Sequence, residues 1–158
     1  LRSKPFDAEG VANTRLKVID NGRLTTWFLD LRSSRQLGLE TTGHASRDTS
    51  SPPGPSATNL YIAAGDLSPE DLMQDIKSGF YVTELIGFGI NGLTGDYSRG
   101  ASGFWIENGA ITHPVSEMTI AGNLKDMFLT LTPANDLLFR YGVDAPTLRV
   151  DGMTVAGK

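Results

Sequence analysis

The sequence predicts an α+β fold, mainly an antiparallel β-sheet of sandwich or barrel-like form, with two or three short helices. Three features predict it: alternating segments joined at Asn-Gly and Asp-Gly, runs rich in β-branched and aromatic residues, and capped stretches of helical period. The chain has 158 residues and is 39% hydrophobic, which suits one core, so a single domain over residues 1–158 is expected.

Arg15 to Ile19 and Leu24 to Leu29 flank Asn21-Gly22, a pair suited to a type I′ turn because both central residues need positive φ. The same pattern surrounds Asn108-Gly109, between Phe104 and Ile111, and Asp151-Gly152, between Leu148 and Val155. These read as three hairpins. Thr58 to Ala63, Phe80 to Ile86 and Val115 to Ile120 read as further strands.

The first clear helix begins at Ser68-Pro69-Glu70-Asp71, where Ser68 can cap, Pro69 fits the first helical position and the acids favour the dipole. Gly79 is its expected end. A second helix, from about Asn123 to Leu131, carries Leu124, Met127, Phe128 and Leu131 as an apolar stripe. A shorter one from Leu31 to Leu37 stops at Gly38. The expected core is Leu16, Val18, Phe28, Leu60, Ile62, Ile106, Val115, Leu124, Phe128, Leu148 and Val155.

Residues 41–57 are rich in Ser, Thr, Gly and Pro, which predicts a long surface loop, flexible over about 43–57. The start at Leu1 without Met reads as a fragment whose upstream domains are absent from this chain.

Fourteen Lys and Arg against 18 Asp and Glu leave a formal net charge of −4, so there is no basic excess for direct nucleic-acid binding. The chain has no Cys, hence no disulfide, thiolate nucleophile or Cys-ligated zinc. It has no apolar run long enough to span a bilayer.

Gly87-Phe88-Gly89-Ile90-Asn91-Gly92 matches G-x-G-x-x-G, but Leu93 to Gly100 has no helical period to present amides to a pyrophosphate. A tight irregular turn is the better reading. His44 and His113 are far apart, and neither has a second ligand at metal spacing; His44 reads as a solvated loop residue and His113 as a turn residue before Pro114. No G-x-S-x-G elbow supports a serine nucleophile. Asp7 and Glu9, two residues apart, can share one face of an extended segment as paired carboxylates, with solvated surface charge as the plainer alternative. Arg99, after Tyr97 and Ser98, can clamp a carboxylate or form a structural ion pair.

Several stretches resemble the C-terminal third of PmbA-type (TldE-like) subunits of the TldD/PmbA family, also described as modulators of DNA gyrase or peptidase U62. They are Pro5 to Gly10, Thr58-Asn59-Leu60-Tyr61, Gly95 to Gly109, Pro114 to Glu117, Thr119 to Leu124, Ala145 to Val150 and Thr154 to Gly157. The resemblance spans almost the whole chain. In that family the TldD-type subunit resembles a zinc peptidase, with an upstream H-E-x-x-x-H pair and a further Cys ligand in its C-terminal domain. This chain lacks any Cys between Asn135 and Pro146, which favours the PmbA-type subunit.

The resemblance implies a subunit domain without metal ligands or cofactor, inactive alone, in a cytoplasmic metalloprotease complex that degrades or processes unfolded peptides. Microcin maturation and antitoxin turnover are the implied processes. Zinc is expected in a TldD-like partner, bound as a heterodimer, with a homodimer as the alternative. Asp7, Glu9, Asn59, Tyr97, Ser98 and Arg99 are the candidate peptide-binding or interface residues. A protein-binding module that modulates DNA gyrase without proteolysis is the competing implication.

Overall fold

In the computed structural model, which describes residues 1–157, strands dominate and three short helices interrupt them. In chain order these are β1 (Ile19–Asp20), β2 (Arg23–Leu24), α1 (Leu31–Leu37), β3 (Ala45–Ser46), β4 (Gly54–Pro55), β5 (Leu60–Tyr61) and α2 (Pro69–Met73). They continue as β6 (Ser78–Ile86), β7 (Asp96–Glu107), β8 (Ala110–Asn123), α3 (Leu124–Thr130), β9 (Thr132–Pro133), β10 (Val143–Asp144), β11 (Leu148–Arg149) and β12 (Thr154–Ala156). The chain divides into two compact units: Leu1–Tyr61 with Phe139–Asp144, and Ile62–Leu138 with the chain from Ala145 onward. Among the described residues no helix is long and apolar enough to cross a membrane.

In the first unit, Asn21 and Gly22 take φ values of 49° and 76° and close the β1–β2 hairpin, as the Asn-Gly pair predicts. Asp30 caps α1 by accepting from the Ser33 backbone N–H at 2.7 Å, and hydrogen bonding from the Ser33 side chain and backbone holds its carboxyl below the ordinary carboxylate value. Gly38 ends the helix at φ 67°. β5 pairs in parallel with β10. Residues 41–57, read as loop, include the antiparallel β3–β4 ladder, and Gly43, His44 and Ala45 are buried.

The second unit is organised by one open antiparallel sheet in the order β12-β8-β7-β6. Asn108 and Gly109 turn β7 into β8 with φ values of 50° and 82°. The bulges place extra residues on β6, between Val82 and Glu84, and on β8, where Glu117 takes φ 58°. Pro114 is tolerated inside β8 because β12 pairs only with Thr119, Ile120 and Ala121, leaving the strand's earlier part unpaired on that side.

The third expected hairpin does not form. β11 pairs with β9 and β12 with β8, so the segments flanking Asp151-Gly152 diverge to different partners. α2 has the expected Ser68–Asp71 capping box but ends at Met73, and Gly79 lies in β6. A Cβ on Gly79 would stand 2.7 Å from Ile76 Cγ2, so this glycine makes room for the Ile76 side chain rather than stopping a helix.

Ile106 is buried as expected, alongside Leu72, Ala101, Ile120 and Ala134 in the second unit and Leu29 and Ala45 in the first. Leu16, Val18, Phe28, Ile62, Val115, Leu124, Leu148 and Val155 are half-buried. Leu60 and Phe128 are exposed: β5 is only two residues long, and no residue of α3 is buried.

Candidate functional site

Asp7 is buried, and its carboxylate is fully engaged by the backbone. Oδ1 accepts from Glu9 N at 2.9 Å and Val11 N at 3.0 Å, while Oδ2 accepts from Ala45 N at 3.0 Å. Glu9 Oε2 accepts from Leu31 N at 2.8 Å, at the first turn of α1. The two acids therefore satisfy separate backbone donors, and Asp7 is not the solvated surface charge its type suggests. Asn59 joins the start of the chain to β5, donating from Nδ2 to Ser3 Oγ at 2.7 Å and accepting from Arg2 N at 3.0 Å.

Asp7, Glu9 and Asn59 belong to the first unit, and Tyr97, Ser98 and Arg99 to the second. The latter three are consecutive on β7, opposite Gly122, Ala121 and Ile120 of β8. Arg99 is half-buried, and its Nε has no hydrogen-bond partner among the described residues. The Gly-rich stretch before β7 is a strand-to-strand loop with no helix behind it, as the irregular-turn reading expects. Asn91 Oδ1 accepts from Leu93 N and Thr94 N, and Asn123 Nδ2 donates to Thr94 O at 3.1 Å.

His44 is buried rather than solvated. Its Nδ1 donates to Thr42 O at 2.7 Å and its ring lies 5.1 Å from that of Phe28. No local signal in a polar, Pro-rich stretch announces this, because the partners that bury it are distant in sequence. His113 lies within β8, not in a turn, with Nδ1 3.2 Å from Thr112 Oγ1. Among the described residues no three His, Cys, Asp or Glu side chains converge to hold a metal ion. Both Asp7 oxygens are spent on backbone N–H groups, which leaves His44 Nε2 as a single donor where zinc needs three or four, so this donor set does not fit the metal that the resemblance assigns to the family.

Among the described residues the outer side of the nine-residue strand β6 is unpaired, which leaves the N–H and C=O groups of alternate residues free at the sheet edge. Exposed apolar residues follow one another along the chain at the strand's end and in the loop beyond, Leu85 and Ile86 in β6 and then Phe88, Ile90 and Leu93, with Phe88 103% and Leu93 96% exposed. This was not legible as a site, because each residue alone reads as ordinary strand or loop content.

The class these features define is a β-rich domain with an open sheet edge and no self-contained metal centre among its described residues. The chain belongs to the family described as the PmbA/TldA metallopeptidase C-terminal domain, whose model matches residues 1–157. It is 45% identical over 159 residues to Metalloprotease PmbA of Escherichia coli O157:H7, covering 100% of this chain and 33% of that protein. It is 28% identical over 172 residues to the Metalloprotease TldD homolog of Haemophilus influenzae, covering 98% and 36%. A crystal structure from Thermotoga maritima, provisionally assigned as a modulator of a DNA gyrase, matches with TM-score 0.86 and 35% identity, covering 98% and 36%. The chain thus spans about a third of the length of the curated relatives it matches.

Proposed function

We propose that this chain is the C-terminal domain of a PmbA-type subunit that holds no catalytic metal and works in a cytoplasmic metalloprotease assembly on unfolded peptides. The observation that carries this reading is the identity contrast, 45% to a PmbA protein against 28% to a TldD homolog over nearly the same residues. The donor set supports it, since a zinc site needs three or four converging N, S or O ligands. The partner in this reading is a TldD-like subunit that supplies zinc.

The domain's share is assembly and peptide binding. An unpaired strand can add an extended peptide through main-chain hydrogen bonds, and the β6 edge offers such a strand. Arg99 is the candidate for a peptide carboxylate, since it is only half-buried and its guanidinium forms no ion pair among the described residues.

The test reconstitutes the full-length subunit with a TldD-like partner and measures cleavage of an unfolded peptide with and without chelator. Chelator-sensitive cleavage that requires both subunits supports the reading, and slower turnover by Arg99→Ala with assembly intact supports the peptide role. A stable complex that never cleaves would favour the second reading, a module that modulates DNA gyrase by binding alone, for which the assignment of the Thermotoga maritima neighbour speaks.

A further inference from the structure

The first unit contains a cavity of about 330 Å³ lined by Arg2, Lys4, Asp7, Asn13, His44 and Thr58, among others. That volume suits a ligand about the size of one residue, at the small end of pockets of about 300–1,000 Å³. The side chains at its wall differ in what they have left to offer. Asp7 has given both oxygens to backbone N–H groups.

His44 has not spent both nitrogens. A carbonyl only accepts, so the contact with Thr42 O puts the proton on Nδ1 and leaves Nε2 of the neutral ring as an acceptor. No group among the described residues is placed on Nε2, and it is not one of the solvent-excluded unpartnered atoms, so it stays open to the cavity side although His44 is only 6% exposed. The ring is held in place: Phe28 packs on it, Ser56 N donates to the His44 carbonyl at 2.9 Å, and Ala45 N is fixed on Asp7. Gly43, at φ 68°, lets this segment approach Ala12, whose carbonyl oxygen would lie 2.4 Å from a Cβ there.

Asn13 also lines the cavity and donates from Nδ2 to Lys4 O at 3.0 Å, but its Oδ1 is closed off from solvent and is not offered to a ligand. Arg2 and Lys4 supply positive charge at the same cavity and are exposed, and neither belongs to an ion pair among the described residues. An acceptor beside cations calls for a ligand with complementary groups, an N–H donor next to an anion.

We infer that this cavity binds a ligand carrying an N–H donor beside a carboxylate, with the N–H on His44 Nε2 and the carboxylate between Arg2 and Lys4. A peptide's C-terminal residue and a free amino acid share that chemistry. The inference goes beyond the metallopeptidase reading and does not depend on it, because it uses only groups of the first unit and is measured without cleavage.

The test is long-range ¹H–¹⁵N NMR of the two histidine rings in the full chain, with His113 as the internal control. N-acetylalanine, alanine, N-acetylalanine amide and inorganic phosphate are titrated separately. The expected result is a saturable shift of His44 Nε2 with a dissociation constant on the order of 1 mM, usual for so small a ligand. Binding of the amide is about tenfold weaker, and Arg2→Ala with Lys4→Ala weakens N-acetylalanine by a similar factor. Saturation by N-acetylalanine alone identifies a peptide C-terminus, and saturation by alanine as well identifies free amino acids. No saturable His44 shift with either, or an equal response to the amide or to phosphate, overturns the inference.

Discussion

A Cβ placed on Gly89 would stand 1.5 Å from the carbonyl oxygen of Ser98, and Ser98 N–H donates to the Gly89 carbonyl at 2.7 Å. The loop after β6 folds back onto the start of β7 through this approach, which only a residue without a side chain permits. Gly89→Ala is therefore expected to cost about 3 kcal/mol of unfolding free energy. Gly92, in the same G-x-G-x-x-G pattern, would meet nothing within 4 Å, and Gly92→Ala is expected to stay within about 0.5 kcal/mol of the parent. Urea denaturation of both variants separates them. Equal midpoints would mean that the Gly89–Ser98 approach does not constrain the fold.

Asp7→Ala removes the acceptor for three backbone N–H groups, those of Glu9, Val11 and Ala45. Leaving buried donors without partners should cost about 3 kcal/mol, visible as a lowered denaturation midpoint. Asp7→Asn keeps one oxygen acceptor and should lose roughly half as much. A variant of unchanged stability would show that the carboxylate is free for another role.

The local grammar of this chain was legible wherever neighbours in sequence decide the structure. Asn21-Gly22 and Asn108-Gly109 make the expected turns, and Asp30, Ser68 and Asn123 cap helices where their side chains reach the next amides. Asp151-Gly152 carries the same signal, and Gly152 does take φ 81°, yet pairing with β9 and β8 overrides a local hairpin. Burial of His44 and Asp7 depends on partners up to 38 residues away, which no local pattern encodes. The stripe on α3 was legible as a period but not as a partner, since Phe128 is 60% exposed.

Acid should destabilise the fold through a small set of aspartates. Thr147 donates from its hydroxyl and backbone N–H to Asp136, each at 2.8 Å, and holds its carboxyl below the ordinary value of 3.8. Backbone N–H groups of Tyr141, Arg140 and Gly142 do the same for Asp144, and the Arg149 guanidinium does so for Asp75. A depressed folded-state pKa contributes stability above the unfolded value that is lost as pH falls through the folded one. The melting temperature should therefore hold from neutral pH to about 5 and fall steeply below about 4. Asp136→Asn should flatten part of that fall. A melting temperature independent of pH down to about 2.5 would contradict the assignment.

The segment over 43–57 is expected to be the first site of proteolysis, but with cleavage confined to its tip. Its base is tied down: Gly43, His44 and Ala45 are buried, Ala45 N is held by Asp7, and β3 pairs with β4. Residues 46–52 are exposed and contain few apolar groups to offset the entropy of ordering them. Arg47 is the one trypsin site within them. Brief trypsin treatment of the folded chain should cut after Arg47 before the exposed Lys17 and Arg23, because those lie in or beside the β1–β2 hairpin. Mass spectrometry of the first fragments decides the order. Early cleavage after Lys17 or Arg23 with Arg47 intact would show that the β3–β4 segment is the better ordered of the two.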